Sequence, residues 1–280
     1  MSKSGTKLIL KLNNSFKKPI HPFNLENEGV KNYSEWEYEN AHRALSSFSP
    51  EYSQYDILKD KTVLDLGCGG GGKSIFYAES GADHVYGLDI NEEFTQKAVK
   101  FAEEKNLTSK TTFSVGNACD MPYEDDSFDT IIMNDFFEHV SEPEKALKEC
   151  FRVLKSGGKI FINFPPYSHP WGEHLNDAIN IPWVHVFFSE DSMINAYLEL
   201  IKDKPDYESR KNLRFSSDES GRLHNTYINK MTKHKADSVL SEYKSCIECK
   251  KYLPLRESVS FITKTTGLLT GMCVYVLRKE

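Results

Sequence analysis

The sequence predicts an α/β fold, a doubly wound sheet of seven strands with a lid insertion after strand 5, on three observations. From Lys61 to Phe164, short runs rich in Val, Ile and Leu alternate with amphipathic stretches, the rhythm of right-handed βαβ units and a parallel sheet covered on both faces. The first apolar run ends in a glycine-rich turn, VLDLGCGGGGKS, from Val63 to Ser74. Such a strand-turn-helix junction offers a bound molecule close backbone and unpaired N–H groups. The rhythm breaks after Phe164, in PPYSHPWGEHLNDAINIPWVHVFF, which is dense in Pro, His, Trp and Asn.

Residues 1 to about 30 are polar, carry Pro19 and Pro22, and read as a loose arm. The stretch YSEWEYENAHRALSSF, residues 33–48, predicts a helix capped by Ser34, with Trp36, Glu37 and Asn40 about one turn apart. It packs on the core or folds over the mouth of the site. Strand 1 is expected at 61–66, a helix at 72–80, strand 2 at 84–88 and a helix at 91–104. Strand 3 follows at 111–115, strand 4 at 128–134, a helix at 143–154 and strand 5 at 159–164. Within the insertion Ser189 caps a helix through about Ile201, and KDKPDYESRKNLRFSSDESGR reads as a charged, mobile segment. A helix at 231–243 and strands at 246–252 and 272–279 finish the sheet. The expected organisation is an N-terminal arm and cap helix (1–50), a ligand-binding α/β core (51–166), a lid for substrate recognition (167–230) and a C-terminal completion of the sheet (231–280).

Formal charge is -6, from 35 basic and 41 acidic residues, so no global positive field recruits nucleic acid. No apolar run approaches the roughly 20 residues needed to span a bilayer, and the five-residue apolar run near the N-terminus is too short for a signal segment. The protein is expected to be soluble and cytoplasmic. Six scattered cysteines suggest reduced thiols. Cys246 and Cys249 form the one C-x-x-C pair; without a second pair they read as strand residues that happen to be cysteine, and no metal site is expected.

Three ligand signatures overlap on the glycine turn. Gly67, Gly69 and Gly72 fit a dinucleotide fingerprint, with Asp89 placed for the ribose, while Gly67, Gly72, Lys73 and Ser74 fit a phosphate loop. Asp65 opposes the phosphate reading, because a carboxylate just before the loop repels a polyphosphate at low local dielectric. The same carboxylate suits an ammonium. S-adenosylmethionine carries one, beside a cationic sulfonium. On that reading Asp65 receives the methionyl ammonium, and Gly67, Cys68 and Gly69 bring the backbone close. Asp89 accepts from the ribose hydroxyls and Ile90 stacks on the adenine. Asn117 and Ala118 of GNACDMPY read the adenine edge, and Lys73 and Ser74 become ordinary first-turn helix residues.

VLDLGCGGGG, the acid of GLDI, GNACDMPYEDDSFDTII, NDFFEHVSEPEKAL and FRVLKSGGKIFI stand in an order and at spacings that resemble the class I S-adenosylmethionine-dependent methyltransferases. They look most like the type 11, ubiquinone and menaquinone biosynthesis branch. The resemblance covers about residues 60–165. It implies a Rossmann-like sheet, mostly parallel with an antiparallel last strand, S-adenosylmethionine as methyl donor, and Asn134 of NDFF at the cofactor. The chain departs from the family in having Asn117 where Asp is frequent, so Asp120 competes for the adenine amine. Asn163-Phe-Pro-Pro-Tyr167 resembles the (D/N)PPY motif of nucleic acid methyltransferases, but it has an additional Phe and follows strand 5 instead of strand 4. The expected reaction is methylation of a small molecule at oxygen, nitrogen or carbon. The alternatives are a nucleic acid or protein methyltransferase and a non-catalytic relic that binds cofactor.

Methyl transfer from a sulfonium is an in-line displacement, accelerated mainly by holding the acceptor near the methyl group in a dry pocket. An oxygen or nitrogen acceptor also loses a proton, which suits histidine. His139, His174 and His185 are the candidate bases; Glu138 is expected to pair locally. Tyr33, Trp36, Tyr167, Trp171 and Trp183 are the candidate acceptor-facing aromatics. The sequence does not identify the acceptor or the oligomeric state.

Overall fold

The structure, a computed structural model, describes residues 2–256, 258, 260, 263 and 269–280. In chain order the elements begin with helices α1 (Ser2–Asn13), α2 (Pro22–Asn27), α3 (Tyr33–Ser46) and α4 (Gln54–Leu58). Then come β1 (Thr62–Leu66), α5 (Gly72–Glu79), β2 (His84–Asp89), α6 (Glu92–Glu104), β3 (Thr111–Val115) and β4 (Phe128–Asn134). α7 (Pro143–Val153) leads into β5 (Leu154–Phe164), followed by α8 (Val184–Phe187), α9 (Glu190–Ile201) and α10 (Tyr207–Arg214). A short hairpin, β6 (Phe215–Ser217) and β7 (Leu223–Asn225), precedes α11 (Lys233–Val239), a 3-10 segment (Leu240–Cys246), β8 (Ile247–Pro254) and β9 (Thr270–Arg278).

Contacts divide the chain into two units: Met1–Asn32 with Pro166–Thr232, and Tyr33–Pro165 with Lys233–Glu280. The larger unit holds the sheet, in the order β3-β2-β1-β4-β5-β9-β8. Strands β1 to β5 are parallel, β9 runs antiparallel to β5, and β8 antiparallel to β9. This is the expected Rossmann-like sheet of seven strands with its antiparallel last strand. Val63, Val85, Ile132, Phe161, Val274 and Val276 form its core with Leu45, Phe48, Ile57 and Tyr77, as strands buried on both faces require. Register brings Asp65 beside Gly87 and Ile132, so the carboxyl ends of β1, β2 and β4, where such sheets bind ligands, lie together. Helices start where local chemistry allows: the Asn91 side chain accepts from the Phe94 N–H, and Pro143 opens α7.

The smaller unit has its own core of Ile9, Leu175, Ile179, Ile181, Ile194, Tyr197 and Phe215. The N-terminal residues are not a loose arm. α1 contributes Ile9 to that core, and Asn13 donates to the Ala178 carbonyl (3.0 Å). The segment expected to be mobile contains α10, with Arg210 and Arg214 only 2% and 1% exposed. Residues 33–46, grouped by sequence with the arm, belong to the sheet unit. Strand 5 starts at Leu154 instead of 159, because Gly157 and Gly158 exchange backbone hydrogen bonds with Lys279. The 231–243 helix is shorter and passes into the 3-10 segment at Leu240. Among the described residues no helix is long and apolar enough to cross a membrane, and all six cysteines are free.

Candidate functional site

The glycine turn is held by its neighbours. Gly67 and Cys68 donate their N–H groups to the Leu88 carbonyl (2.8 and 3.2 Å), tying the end of β1 to that of β2. Gly67 has φ +76°, and a Cβ there would meet the Phe136 ring at 2.1 Å; this position needs glycine for both reasons. At Gly72 a Cβ would stand 2.0 Å from the Ser34 carbonyl oxygen, so the glycine lets α3 lie on the start of α5. Cys68 is fully buried, and its carbonyl accepts from the Gly71 N–H (3.0 Å).

Asp65 is 1% exposed and accepts from Ser74 Oγ at 2.6 Å. Ser74 is therefore the partner that orients the key carboxylate and not an incidental helix residue. Asp89 accepts from Gly69 N–H through Oδ2 (2.9 Å) and from Asn91 N–H through Oδ1 (2.8 Å). Each oxygen retains a further lone pair, as a ribose diol requires. Beyond it, Ile90 is 75% exposed, a bare apolar platform at the strand end. Asn117 is exposed and its Oδ1 accepts from the Cys119 N–H (2.9 Å), while Ala118 is buried. The Asn117 side-chain N–H groups and the second lone pair of its oxygen, the atom expected to take the adenine amine, remain for a ligand. Asn134 is buried and donates to Asn163 Oδ1 at 2.8 Å, and Asn163 donates to the Ala44 carbonyl and Ser47 Oγ. The Asn134 side chain therefore looks into the sheet unit, and Asn163 cannot hold a target base as a (D/N)PPY asparagine does.

Sequence reasoning missed four side chains here. Glu37 of α3 lies over the turn, 3% exposed, and accepts from the Gly72 N–H at 3.3 Å. Lys73, set aside as a first-turn residue, stands 3.9 Å from Glu37 Oε1 with its side chain 14% exposed. Asp135, at φ +49°, is an exposed residue at the end of β4, and its carboxyl interacts with the Lys73 ammonium. Glu138 was expected to pair locally; it is 2% exposed and neither carboxyl oxygen has a hydrogen-bond partner among the described residues. His139 Nε2 lies 3.8 Å from Glu138 Oε1.

Burial raises the pKa of each of these acids above the usual carboxylate range: Glu37 to about 8, and Asp65, Asp89, Asp135 and Glu138 in the same direction. Lys73 works against burial for all five. An acid surplus around a single lysine is chemically suited to a cationic ligand and hostile to a polyphosphate. The residues thus fit S-adenosylmethionine, with its ammonium and sulfonium. Tyr33 joins this site, its ring stacked on Phe94 at 5.3 Å and close above Gly70, and Trp36 follows one turn along the half-buried face of α3.

The remaining candidates lie in the other unit. His185 Nδ1 is 2.8 Å from Glu173 Oε2, with both side chains buried, and the Tyr167 ring packs on the imidazole at 4.7 Å. Burial lowers the pKa of nearby His169 to about 4, and its Nδ1 accepts from the Trp171 N–H. Trp183, at φ +56°, donates its indole N–H to the Ser168 carbonyl (3.1 Å). The His174 carbonyl accepts from Arg214 Nε (3.3 Å).

Residues 64–162 match a family model described as a methyltransferase domain. Over 104 residues the chain is 38% identical to ajmaline N-methyltransferase of Rauvolfia serpentina, covering 37% of this chain and 36% of that protein. It is 35% identical over 104 residues to the chloroplastic tocopherol O-methyltransferase of Arabidopsis thaliana, covering 37% and 30%. The matched region is about a third of the length of these curated relatives. The solved PH0226 protein of Pyrococcus horikoshii OT3 shares the fold, with a TM-score of 0.53 at 22% identity over 87% of this chain and 92% of that one.

Proposed function

We propose that the chain is a class I S-adenosylmethionine-dependent methyltransferase, a reading supported by the methyltransferase-domain match over residues 64–162, and that it transfers a methyl group to a small-molecule acceptor at oxygen, nitrogen or carbon. The observation that carries this reading is the surplus of buried carboxyl groups, Asp65 foremost, around the glycine turn. Bound there, S-adenosylmethionine supplies an electrophilic methyl group on a sulfonium.

Asp65, oriented by Ser74, accepts from the methionyl ammonium, and Asp89 from the ribose hydroxyls. Ile90 carries the adenine, with Ala118 and the amide of Asn117 at its edge. Gly67, Cys68 and Gly69 contribute backbone, and the neighbouring acids stabilise the cationic donor. Tyr33 and Trp36, on the sheet unit's α3, face a flat apolar acceptor and exclude water from it. Where the acceptor is a hydroxyl or amine, His139 is the residue of the sheet unit that takes its proton. Relatives that methylate nitrogen and oxygen of small molecules support this acceptor class without naming the atom.

Calorimetric titration with S-adenosylmethionine and with its demethylated product tests the cofactor reading. Both should bind, and Asp65→Ala and Asp89→Ala should each weaken binding at least about tenfold, the worth of a charge-assisted hydrogen bond. Unchanged affinity in both variants overturns it. Labelled-methyl transfer into a cell extract, sorted into small-molecule, RNA and protein fractions, tests the acceptor class.

A further inference from the structure

We propose that Lys73 receives the carboxylate of the cofactor's methionyl end, and that Glu37 holds that place when no cofactor is bound. The inference rests on the cofactor reading above and adds a residue to it. The Glu37 carboxyl lies directly on the turn: its Oε2 accepts from the Gly72 N–H at 3.3 Å, and a Cβ on Gly69 would come within 2.8 Å of its Oε1. Lys73 Nζ stands 3.9 Å from the same Oε1. A carboxyl group held between a backbone amide and an ammonium, over the turn where a ligand that itself carries a carboxylate would lie, is an internal stand-in for that ligand group.

Charge matching points the same way. The methionyl end carries an ammonium and a carboxylate side by side. Asp65 and Asp135 supply acceptors for the ammonium, and neither can serve the carboxylate. Lys73 is the cation that faces Glu37, Asp65, Asp89 and Asp135 alike. Burial to 14% exposure makes its ammonium costly to leave uncompensated. A cofactor carboxylate arriving at Lys73 therefore takes up the charge that Glu37 faces without it, and Glu37 is free to take a proton.

The probe is decarboxylated S-adenosylmethionine, which keeps the ammonium, sulfonium, ribose and adenine and lacks only the carboxylate. The protein should bind S-adenosylmethionine about 10- to 100-fold more tightly than this analogue. Lys73→Met should erase that preference by weakening the intact cofactor alone, Lys73→Arg should restore much of it, and Glu37→Gln should tighten the intact cofactor by removing its competitor. Equal weakening of both ligands by Lys73→Met overturns the inference and makes Lys73 a tether of α3. So does looser binding of the intact cofactor by Glu37→Gln, which remains informative should Lys73→Met fail to fold. If the unmodified protein binds neither ligand, the cofactor reading itself fails.

Discussion

Each unit of the molecule buries a cluster of charge, and the two are built oppositely. In the smaller unit one acid, Asp177, serves two arginines: Arg210 Nη1 at 2.9 Å and Arg214 Nη2 at 3.1 Å. Tyr197 donates a further hydrogen bond to it at 2.7 Å, and the Phe23 ring carries both guanidinium groups at 5.3 and 5.2 Å. Burial alone would raise the Asp177 pKa, but Arg214, His21 and Arg210 more than offset it, and the carboxyl is held below its usual range. In the sheet unit the balance is reversed. Five acids share Lys73, burial prevails, and their pKa values rise. The partnered cluster pairs its acid with cations of the same chain. The acid-rich one has acids in excess of its lysine, the imbalance that the proposed cationic cofactor would offset, and this separates a structural charge cluster from a candidate binding site.

The largest effect should come from breaking the finished cluster. Asp177→Asn leaves Arg210 with Asp206, which accepts from its Nε, and removes the carboxylate that stands 3.1 Å from Arg214 Nη2. A buried ion pair deprived of one partner typically loses about 3–5 kcal/mol, and urea unfolding should show a loss of that order. A loss below about 1 kcal/mol, the scale of a surface ion pair, would mean that Asp177 does not hold the unit together, and the contrast would lose its structural half.

The acid-rich cluster should respond with the opposite sign. Glu37 has an ordinary pKa of 4.5 and is pushed up to about 8 in the folded chain by burial, with Asp65 and Asp89 adding to the rise and Lys73 and the Gly72 N–H opposing it. Below the ordinary value both folded and unfolded chains hold the proton, and Glu37 contributes no slope. As pH rises from there to about 8, the unfolded chain gives up its proton first, so folding stability falls; above about 8 the cost is complete. Glu37→Gln removes this slope. The variant should match the parent near pH 4 and exceed it near pH 8 by on the order of 1–3 kcal/mol. Thermal unfolding across that range reads the difference, and parallel curves would show that Glu37 is not strained by its surroundings.

The sheet and its glycine turn were legible in the sequence because their determinants are local: apolar runs of strand length, a glycine run and the charge of Asp65. The parts that were not legible depend on partners far along the chain. α1 is polar enough to read as an arm, and the acceptor for its Asn13 lies 165 positions on, at Ala178. α10 is so rich in charge that its two buried arginines become intelligible only with Asp177 beside them. Strand 5 begins early because Lys279 pairs with the glycines at its start. Lys73 was read from its position in a helix's first turn, whereas its environment comes from α3 crossing above. The one available hint was Glu37, an acid on the same helical face as Ala41, but spacing alone does not show that this face is buried against a glycine turn.

Asn134 offers the smallest effect and the sharpest limit on the acid-rich site. Its resemblance-based role placed it at the cofactor, yet its side-chain amide donates to Asn163 Oδ1, at the centre of a chain of bonds reaching Ala44 and Ser47. With the residue 4% exposed and its amide engaged inside the sheet unit, its substitution leaves a ligand little to lose. Asn134→Ala should cost about 1 kcal/mol of stability, the net worth of one hydrogen bond, and change S-adenosylmethionine affinity less than about threefold. A tenfold loss of affinity at unchanged stability would move Asn134 into the binding site and make the buried acids share recognition with a neutral amide, eroding the distinction between a cluster the chain completes and one the ligand completes.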